Sequence, residues 1–354
     1  MLKTEEFFSL KMKEVESLRF DRWYPKFRKL TIRSEIIPLS ERFVRYVLKD
    51  GIVLPRCDFS ELSKQDPRFE PMIVEEDSSD EEWEDVEEEV KDTRPVFREL
   101  EIKIRDSIEK LGGAAFAKVN WSSANDAKWV SGSVKCTTPG HVFLLLKASD
   151  FVSQNLTRGG PRKYCSDFEE DEKQDLEKNS VLVLRRWGNI ALSQEFRCFV
   201  HDHEIIALSQ RDVFSYYEFL ESRKDCVRAC VTTFFKEKML PLLKDSDIPS
   251  SFVMDVFLDR KDKVHLIDLS VLGKATDTLM FSFSDLQSAS NRVRDEKSSF
   301  KFEIRFVRSK KQIVPSGRNF YCLPKDVLDR MGGDSSNSSV AEIAKQEVTK
   351  QTAQ

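Results

Sequence analysis

The chain is poor in the signatures of the commonest nucleotide and hydrolase folds. Only 12 of its 354 residues are glycine. It has neither a Gly-x-x-x-x-Gly-Lys-Ser/Thr loop nor a Gly-x-Gly-x-x-Gly turn, so P-loop and dinucleotide-binding folds find no support. No Gly-x-Ser-x-Gly elbow is present, and no Cys stands beside a His partner for nucleophilic chemistry. The four histidines (His141, His201, His203, His265) form no spaced metal pair. Seven cysteines are scattered and odd in number, and only Cys226 and Cys230 lie one helical turn apart. With no second pair and no suitably spaced His, zinc finds no support and reduced cytosolic thiols are expected. No run approaches the roughly 18 apolar residues of a membrane span. The opening Met1–Phe8 shows no signal-peptide pattern.

What is present describes a soluble protein with ample core material: 40% hydrophobic residues, 26 of them Phe, and 33% charged. The length suits one large two-lobed domain or two ordinary ones. The net charge of −4 hides local asymmetry: 11 of the 15 residues from Glu75 to Glu89 are acidic, while Asn291 to Arg318 carries nine Lys or Arg against three acids. The whole chain is not a nucleic-acid binder by charge.

Residues 5–20 read as an amphipathic helix, 31–39 as extended, and 40–48 as a helix with Ser40 as N-cap. The acidic stretch, taken as a linker over 75–92, repels itself and is expected to be disordered, with Ser78 and Ser79 open to acidophilic phosphorylation. Phe97 to Leu111 is helical, ended by Gly112-Gly113. Ala115 to Trp121 is a strand, Val142 to Leu146 is apolar without a decisive period, and 159–180 reads as loop. Strands follow at 181–187, 195–201 and 204–210, then a helical stretch at 213–240 and a hairpin at 252–269. The expected organisation is an N-terminal segment (1–74) packing onto a first lobe, the linker, a two-lobed core (93–330) hinged near 181–190, and a polar disordered tail (331–354).

The hairpin carries the most pointed chemistry. If Asp259 pairs with Val264, Asp255 falls directly opposite Asp268, and a change of one residue in the loop makes them diagonal instead. Like charges opposite one another destabilise a sheet, so keeping both calls for a cation between them. Ser270 points to the same face and adds an oxygen. This outlines a magnesium site able to hold a nucleotide's phosphates; the alternative is two acids on a surface hairpin facing water. Lys118 reads either as a point charge for phosphate or as an exposed strand lysine with its stem along apolar surface. Asp126 reads as a cap or as a ribose or phosphate-side contact. Val181, Val183, Arg185 and Trp187 share one face, as for a nucleotide, or as in any half-buried strand. Glu195, Arg197 and Phe199 share another. Arg211-Asp212 looks like an ion pair of small consequence.

Taken in order, several segments resemble the cell-division-cycle protein 123 family. They are Trp23-Tyr-Pro-Lys-Phe-Arg28, Phe116-Ala-Lys-Val-Asn-Trp-Ser122, Asp126-Ala-Lys-Trp129, Leu182-Val-Leu-Arg-Arg-Trp187, Glu195-Phe-Arg-Cys-Phe-Val200, Ser209-Gln-Arg-Asp212, Leu266-Ile-Asp268, Thr276-Asp277 and Leu323-Pro-Lys-Asp326. The resemblance implies an α+β, ATP-grasp-like fold in which two lobes of mainly antiparallel sheet clasp ATP and Mg2+. It implies a cytosolic, monomeric assembly chaperone that binds the gamma subunit of translation initiation factor 2, supporting translation initiation and cell-cycle progression, without direct nucleic-acid or membrane contact. Lys118, Asn120, Trp121, Asp126, Arg185, Trp187 and Arg197 would bind ATP, and Asp255, Asp268 and Ser270 the metal. Ser270 stands where the family carries Asn, and Lys274 where it carries an acid. That departure implies a bridging water at Ser270 and weaker ATP binding than in relatives. The alternatives are an ATP-grasp carboxylate–amine ligase and an interaction protein that has lost nucleotide binding.

Overall fold

The computed structural model describes residues 8–49, 51, 54–55, 95–168, 179–295 and 301–309, all within one unit, Met1–Ile313. The acidic linker and the polar tail lie outside the described residues. Of the helix expected over 5–20, of which 5–7 lie outside the described residues, only α1 (Met12–Ser17) forms, and a second helix, α2 (Phe20–Phe27), begins where the first was expected to end. The break falls at Arg19, whose backbone is extended (φ −65°, ψ 140°) and whose guanidinium grips Asp21 with two bonds of 2.6 and 2.7 Å. After β1 (Ser34–Pro38), α3 (Glu41–Leu48) starts as expected, with the Ser40 hydroxyl accepting from the Phe43 amide at 3.3 Å.

Helix α4 (Arg98–Lys110) buries Ile104 and Ile108, and Gly112 and Gly113 end it in left-handed conformations (φ 96° and 85°). The short strands β2 (Ala115–Val119), β3 (Ser122–Ser123) and β4 (Lys135–Cys136) follow. The stretch over 142–146 is helical, within α5 (Pro139–Ala148). Every residue from Pro139 to Leu146 is buried, and a helix apolar on all sides carries no readable period. Next come α6 (Asp150–Arg158), β5 (Val181–Arg186), β6 (Glu195–His201) and β7 (Glu204–Gln210). Asp202 and His203 turn the last pair with φ of 50° and 61°, as a tight hairpin turn of this hand requires.

The helix expected over 213–240 is shorter and interrupted. Its regular part is α7 (Lys224–Phe234), continued by a π-turn over Phe235–Met239 and a last turn over Leu240–Lys244. The remaining elements are β8 (Phe252–Leu258), β9 (Val264–Val271), α8 (Phe283–Asp295) and β10 (Glu303–Arg305).

Two five-stranded sheets result. The first runs β1-β5-β2-β3 with β4 also on β2, and the second runs β10-β7-β6-β8-β9; every pair is antiparallel except β10–β7. This is the α+β class, with mainly antiparallel sheets, expected from the sequence. One face of the first sheet (Ala115, Ala117, Leu182, Leu184) packs under α3 to α6. Its other face, through Val181 and Val183, joins α1, α2, α7 and one face of the second sheet in a single cluster. The second sheet's opposite face buries Phe199, Ala207 and Val253 against α8.

The N-terminal segment therefore serves both sheets and not the first lobe alone. Thr31 bridges to Leu266 of β9, and three residues later β1 pairs with β5. Among the described residues no helix is long and apolar enough to cross a membrane.

Candidate functional site

Asp255 does lie opposite Asp268, by a route with two compensating one-residue shifts. The hairpin closes one residue earlier than expected, with Leu258 facing Val264. Asp259 falls in the loop, where its carboxylate accepts from the Lys261 and Lys263 amides at 2.8 and 3.1 Å. That register alone would leave the aspartates diagonal. An irregularity follows: Val256 faces Leu266 while Asp255 faces Asp268, so Ile267 is the extra residue of a bulge. Across the second sheet the row reads Ser209, Arg197, Asp255, Asp268.

The two carboxylates are compensated by protein cations. Arg197 holds Asp255 with two bonds of 2.8 Å and donates a third to the Asp277 carbonyl at 2.7 Å. Arg211 adds a contact of 3.3 Å to the same aspartate. Burial pushes the Asp255 carboxyl up, but Arg197 and then Arg211 outweigh it and hold it down at about 2. Asp268 receives Lys118 from the first sheet at 2.6 Å, and its other oxygen accepts from the Leu269 amide at 3.1 Å. Burial lowers the Lys118 pKa against the pull of Asp268.

Strand alternation delivers these groups. In β2, residues 115, 117 and 119 enter the core beneath the helices, so Phe116 and Lys118 face the other way, onto a cleft between the sheets. In β5, Val181, Val183 and Arg185 share that side. Arg185 is the anomaly: it is 4% exposed, among the described residues it donates to the Thr31 hydroxyl at 3.2 Å, and its Nε is buried without a partner. Among the described residues no carboxylate lies within ion-pair distance of it, and burial lowers its pKa. A buried cation left in this condition is costly unless an anion joins it.

These groups surround a cavity of about 360 Å³, lined by Phe116, Lys118, Arg185, Trp187, Glu195, Arg211, Asp255 and Asp268, with the connecting residues 188–190 at one side. Burial raises Glu195 to about 7 against the opposing charge of Arg211.

Of the residues singled out in the sequence, Lys118, Arg185, Trp187, Glu195, Arg211, Asp255 and Asp268 meet at this cavity. The others are used elsewhere. Asn120, with φ of 48°, accepts from the Val181 amide at 2.9 Å and donates to Asn155 and Ser180 at 3.3 Å, tying β2 to β5. Trp121 donates to the Val15 carbonyl at 3.2 Å. Asp126 is a cap: it accepts from the Ser149 hydroxyl at 2.6 Å and the Phe151 amide at 3.0 Å at the start of α6. Arg197 reaches the cavity only through Asp255. Ser270 faces Val253, one step further along β9, and is not among the lining residues.

Two contributions differ from expectation: Arg211 does not pair with its neighbour Asp212, and Phe20 has no expected role at the site. Arg211 pairs with Asp255 across the sheet, while Asp212 accepts from the Phe214 amide and the Tyr217 hydroxyl. Phe20 lies beneath both Lys118 and Arg185, with the two cationic centres 5.1 and 5.2 Å from its ring centroid. The only available signal for Arg211 was the convergence of charges at strand ends, and for Phe20 there was none.

The D123 family model matches residues 23–331 of the chain. A protein of Xenopus tropicalis named translation initiation factor eIF2 assembly protein is 36% identical over 343 residues, covering 94% of this chain and 96% of its own. One of the same name from Dictyostelium discoideum is 30% identical, covering 89% of this chain and 91% of its own. The solved structure of Cdc123 from Schizosaccharomyces pombe is similar, with a TM-score of 0.65 at 31% identity, covering 85% of this chain and 99% of that one.

Proposed function

The chain belongs to the D123 family, and from that footing we propose that it is an ATP-binding factor for the assembly of translation initiation factor 2. The assembly role rests on relatives whose names state it and which this chain matches over nearly its whole length. The nucleotide reading, with its ATP-grasp-like architecture, rests on one observation above all: Arg185, a buried cation with an unpartnered Nε, aimed into a cleft that Lys118 also lines. Polyphosphate supplies the anion that Arg185 lacks, and Trp187 with the neighbouring apolar lining suits a base.

In this reading Lys118 moves from Asp268 to a phosphate oxygen, releasing one carboxylate oxygen. Magnesium fits the donor set only together with phosphate. It takes oxygen ligands and commonly needs one or two carboxylates plus phosphates. Among the described residues no three His, Cys, Asp or Glu side chains are grouped to hold an ion alone. Asp268 would be the principal ligand and Asp255, kept ionised by Arg197, the second; bound magnesium would neutralise and orient the phosphates. Asn120, Trp121, Asp126 and Arg197 act by holding the surrounding elements in place.

Titration calorimetry with ATP and magnesium is expected to give saturable binding, and a folded protein that produces no binding heat refutes the nucleotide reading. Capture of the isolated gamma subunit of the initiation factor tests the assembly reading; no capture with or without ATP refutes it. A factor without nucleotide is the competing view. It is favoured by the internal pairing of Lys118, Asp255 and Asp268.

The charge of Glu195 makes a further outcome measurable. Its raised carboxyl is neutral below pH about 7 and ionised above it, placing a negative charge beside the phosphates only at the higher pH. ATP affinity is therefore expected to fall about three- to tenfold between pH 6 and 8, from linkage to this one group. Glu195→Gln should flatten that profile by strengthening binding at the alkaline end. A profile of the same slope in the variant would assign the dependence to another group.

A further inference from the structure

We infer that Phe20 is a positioning residue of this anion site, its ring holding the Lys118 ammonium and the Arg185 guanidinium as one convergent pair. The inference deepens the nucleotide reading and rests on it. Phe20 lies just upstream of the segment that the family model matches.

Lys118 faces Val183 and Arg185 faces Phe116, so the two cations are diagonal neighbours on one face of adjacent strands. Like charges that close repel, and each is almost fully buried, at 3% and 4% exposure. The residues compensating them are unequal. Asp268 takes Lys118, whereas Arg185 has the Thr31 hydroxyl. What both share is the Phe20 ring, with Nζ at 5.1 Å and Cζ at 5.2 Å from its centroid. Both lie within the roughly 6 Å over which the negative face of a ring attracts a cation, an attraction that strengthens when water is excluded.

The ring is itself held. Phe20 is fully buried, stacks on Tyr24 at 5.1 Å and 20°, and meets the edge of Trp23 at 4.7 Å. Tyr24 is in turn fastened to β1: its hydroxyl accepts from the Ser34 amide at 2.8 Å and donates to the Ser34 carbonyl at 3.1 Å. Helix α2 thus supplies the floor of the site. Once a phosphate draws Lys118 away from Asp268, that floor is the compensating group the two cations still share.

A core phenylalanine and a positioning phenylalanine differ in what they do when the ring's charge distribution changes and its shape does not. Replacing Phe20 by the monofluoro-, trifluoro- and pentafluorophenylalanine series keeps the packing and progressively cancels the negative face. Affinities for ATP and for tripolyphosphate are expected to fall stepwise, to about tenfold weaker at the last member, a change of about 1.4 kcal/mol. Adenosine affinity should stay near the wild-type value, and the melting temperature should fall by no more than a few degrees, because the ring also offsets part of the cost of burying Arg185. Should the pentafluoro protein fail to fold, the monofluoro and trifluoro members still give the slope. Unchanged ATP and tripolyphosphate affinity across the folded members overturns the role of Phe20 and leaves the nucleotide reading standing. A wild-type protein that binds neither ligand overturns the nucleotide reading, and this inference with it.

Discussion

Replacing Arg185 with an uncharged side chain of similar length, Arg185→Met, is expected to stabilise the protein while removing its hold on ATP. The guanidinium is buried with one neutral hydrogen bond and an unpartnered Nε. Burying such a group costs roughly 1–3 kcal/mol, because the hydration it loses is not replaced. The cation–π contact with Phe20 at 5.2 Å offsets part of this, so a gain of about 1 kcal/mol is expected, equivalent to a rise of a few degrees in melting temperature. Loss of a charge-assisted contact to phosphate costs about 1.5–3 kcal/mol, or about ten- to a hundredfold in ATP affinity. Opposite signs in thermal melting and in calorimetry are the signature of a residue kept for its ligand. A variant that melts lower and binds ATP as before would make Arg185 a purely structural residue.

The two aspartates of the hairpin are expected to behave as opposites. Asp255→Asn removes the counter-charge of Arg197, a guanidinium that is 7% exposed and bonded to both carboxylate oxygens. Breaking a buried pair from one side costs about 3–5 kcal/mol, enough to unfold much of a marginally stable protein. Asp268 is milder, because the Lys118 left behind, whose pKa burial already lowers, can shed its proton, and because the Asp268 side chain is 26% exposed, so that water can reach the vacated position. Asp268→Asn should cost on the order of 1 kcal/mol while lowering magnesium-dependent ATP affinity about tenfold or more.

Acid melts separate the same two roles. The Asp255 carboxyl is depressed to about 2, against about 3.9 in an unfolded chain. Its stabilisation is therefore complete above pH about 4 and is lost as pH falls towards 2, an effect of about 2–3 kcal/mol. Urea melts at pH 3 and pH 6 should show the wild type losing about 1 kcal/mol, roughly half of that increment because pH 3 lies midway between the two pKa values, and Asp268→Asn losing the same amount. Equal destabilisation by the two Asn variants would contradict the division of roles.

How much of this was legible in the sequence depended on whether the cause was local. Alternation in Val181 to Trp187 placed Arg185 and Trp187 on one face because successive strand residues point to opposite sides whatever the partner strand is. The Ser40 cap and the Gly112-Gly113 stop were legible for the same reason. Helix α5 was not, since its eight buried residues from Pro139 to Leu146 erase the polar face that would reveal a period. The opposition of Asp255 and Asp268 was reached from an assumed register that the hairpin does not use. The early closure at Leu258 and the bulge at Ile267 cancel.

The longer strands, the faces their side chains take, the lack of a glycine-rich phosphate loop and the suspicion attached to two facing carboxylates were all legible in the chain, whereas the short strands β3, β4 and β10 were not. Only the tertiary structure decided which cation belongs to which acid. Lys118 and Asp268 are 150 residues apart, and Arg197 and Asp255 are 58 apart. It also decided that Asn120, Trp121 and Asp126 spend their polar atoms on neighbouring elements, and that Phe20 of helix α2 lies beneath two cations from the first sheet. The physical reason is the same in each case. Backbone geometry acts between adjacent residues and leaves a periodic trace in the chain, whereas Coulomb and cation–π attraction act through space and leave none.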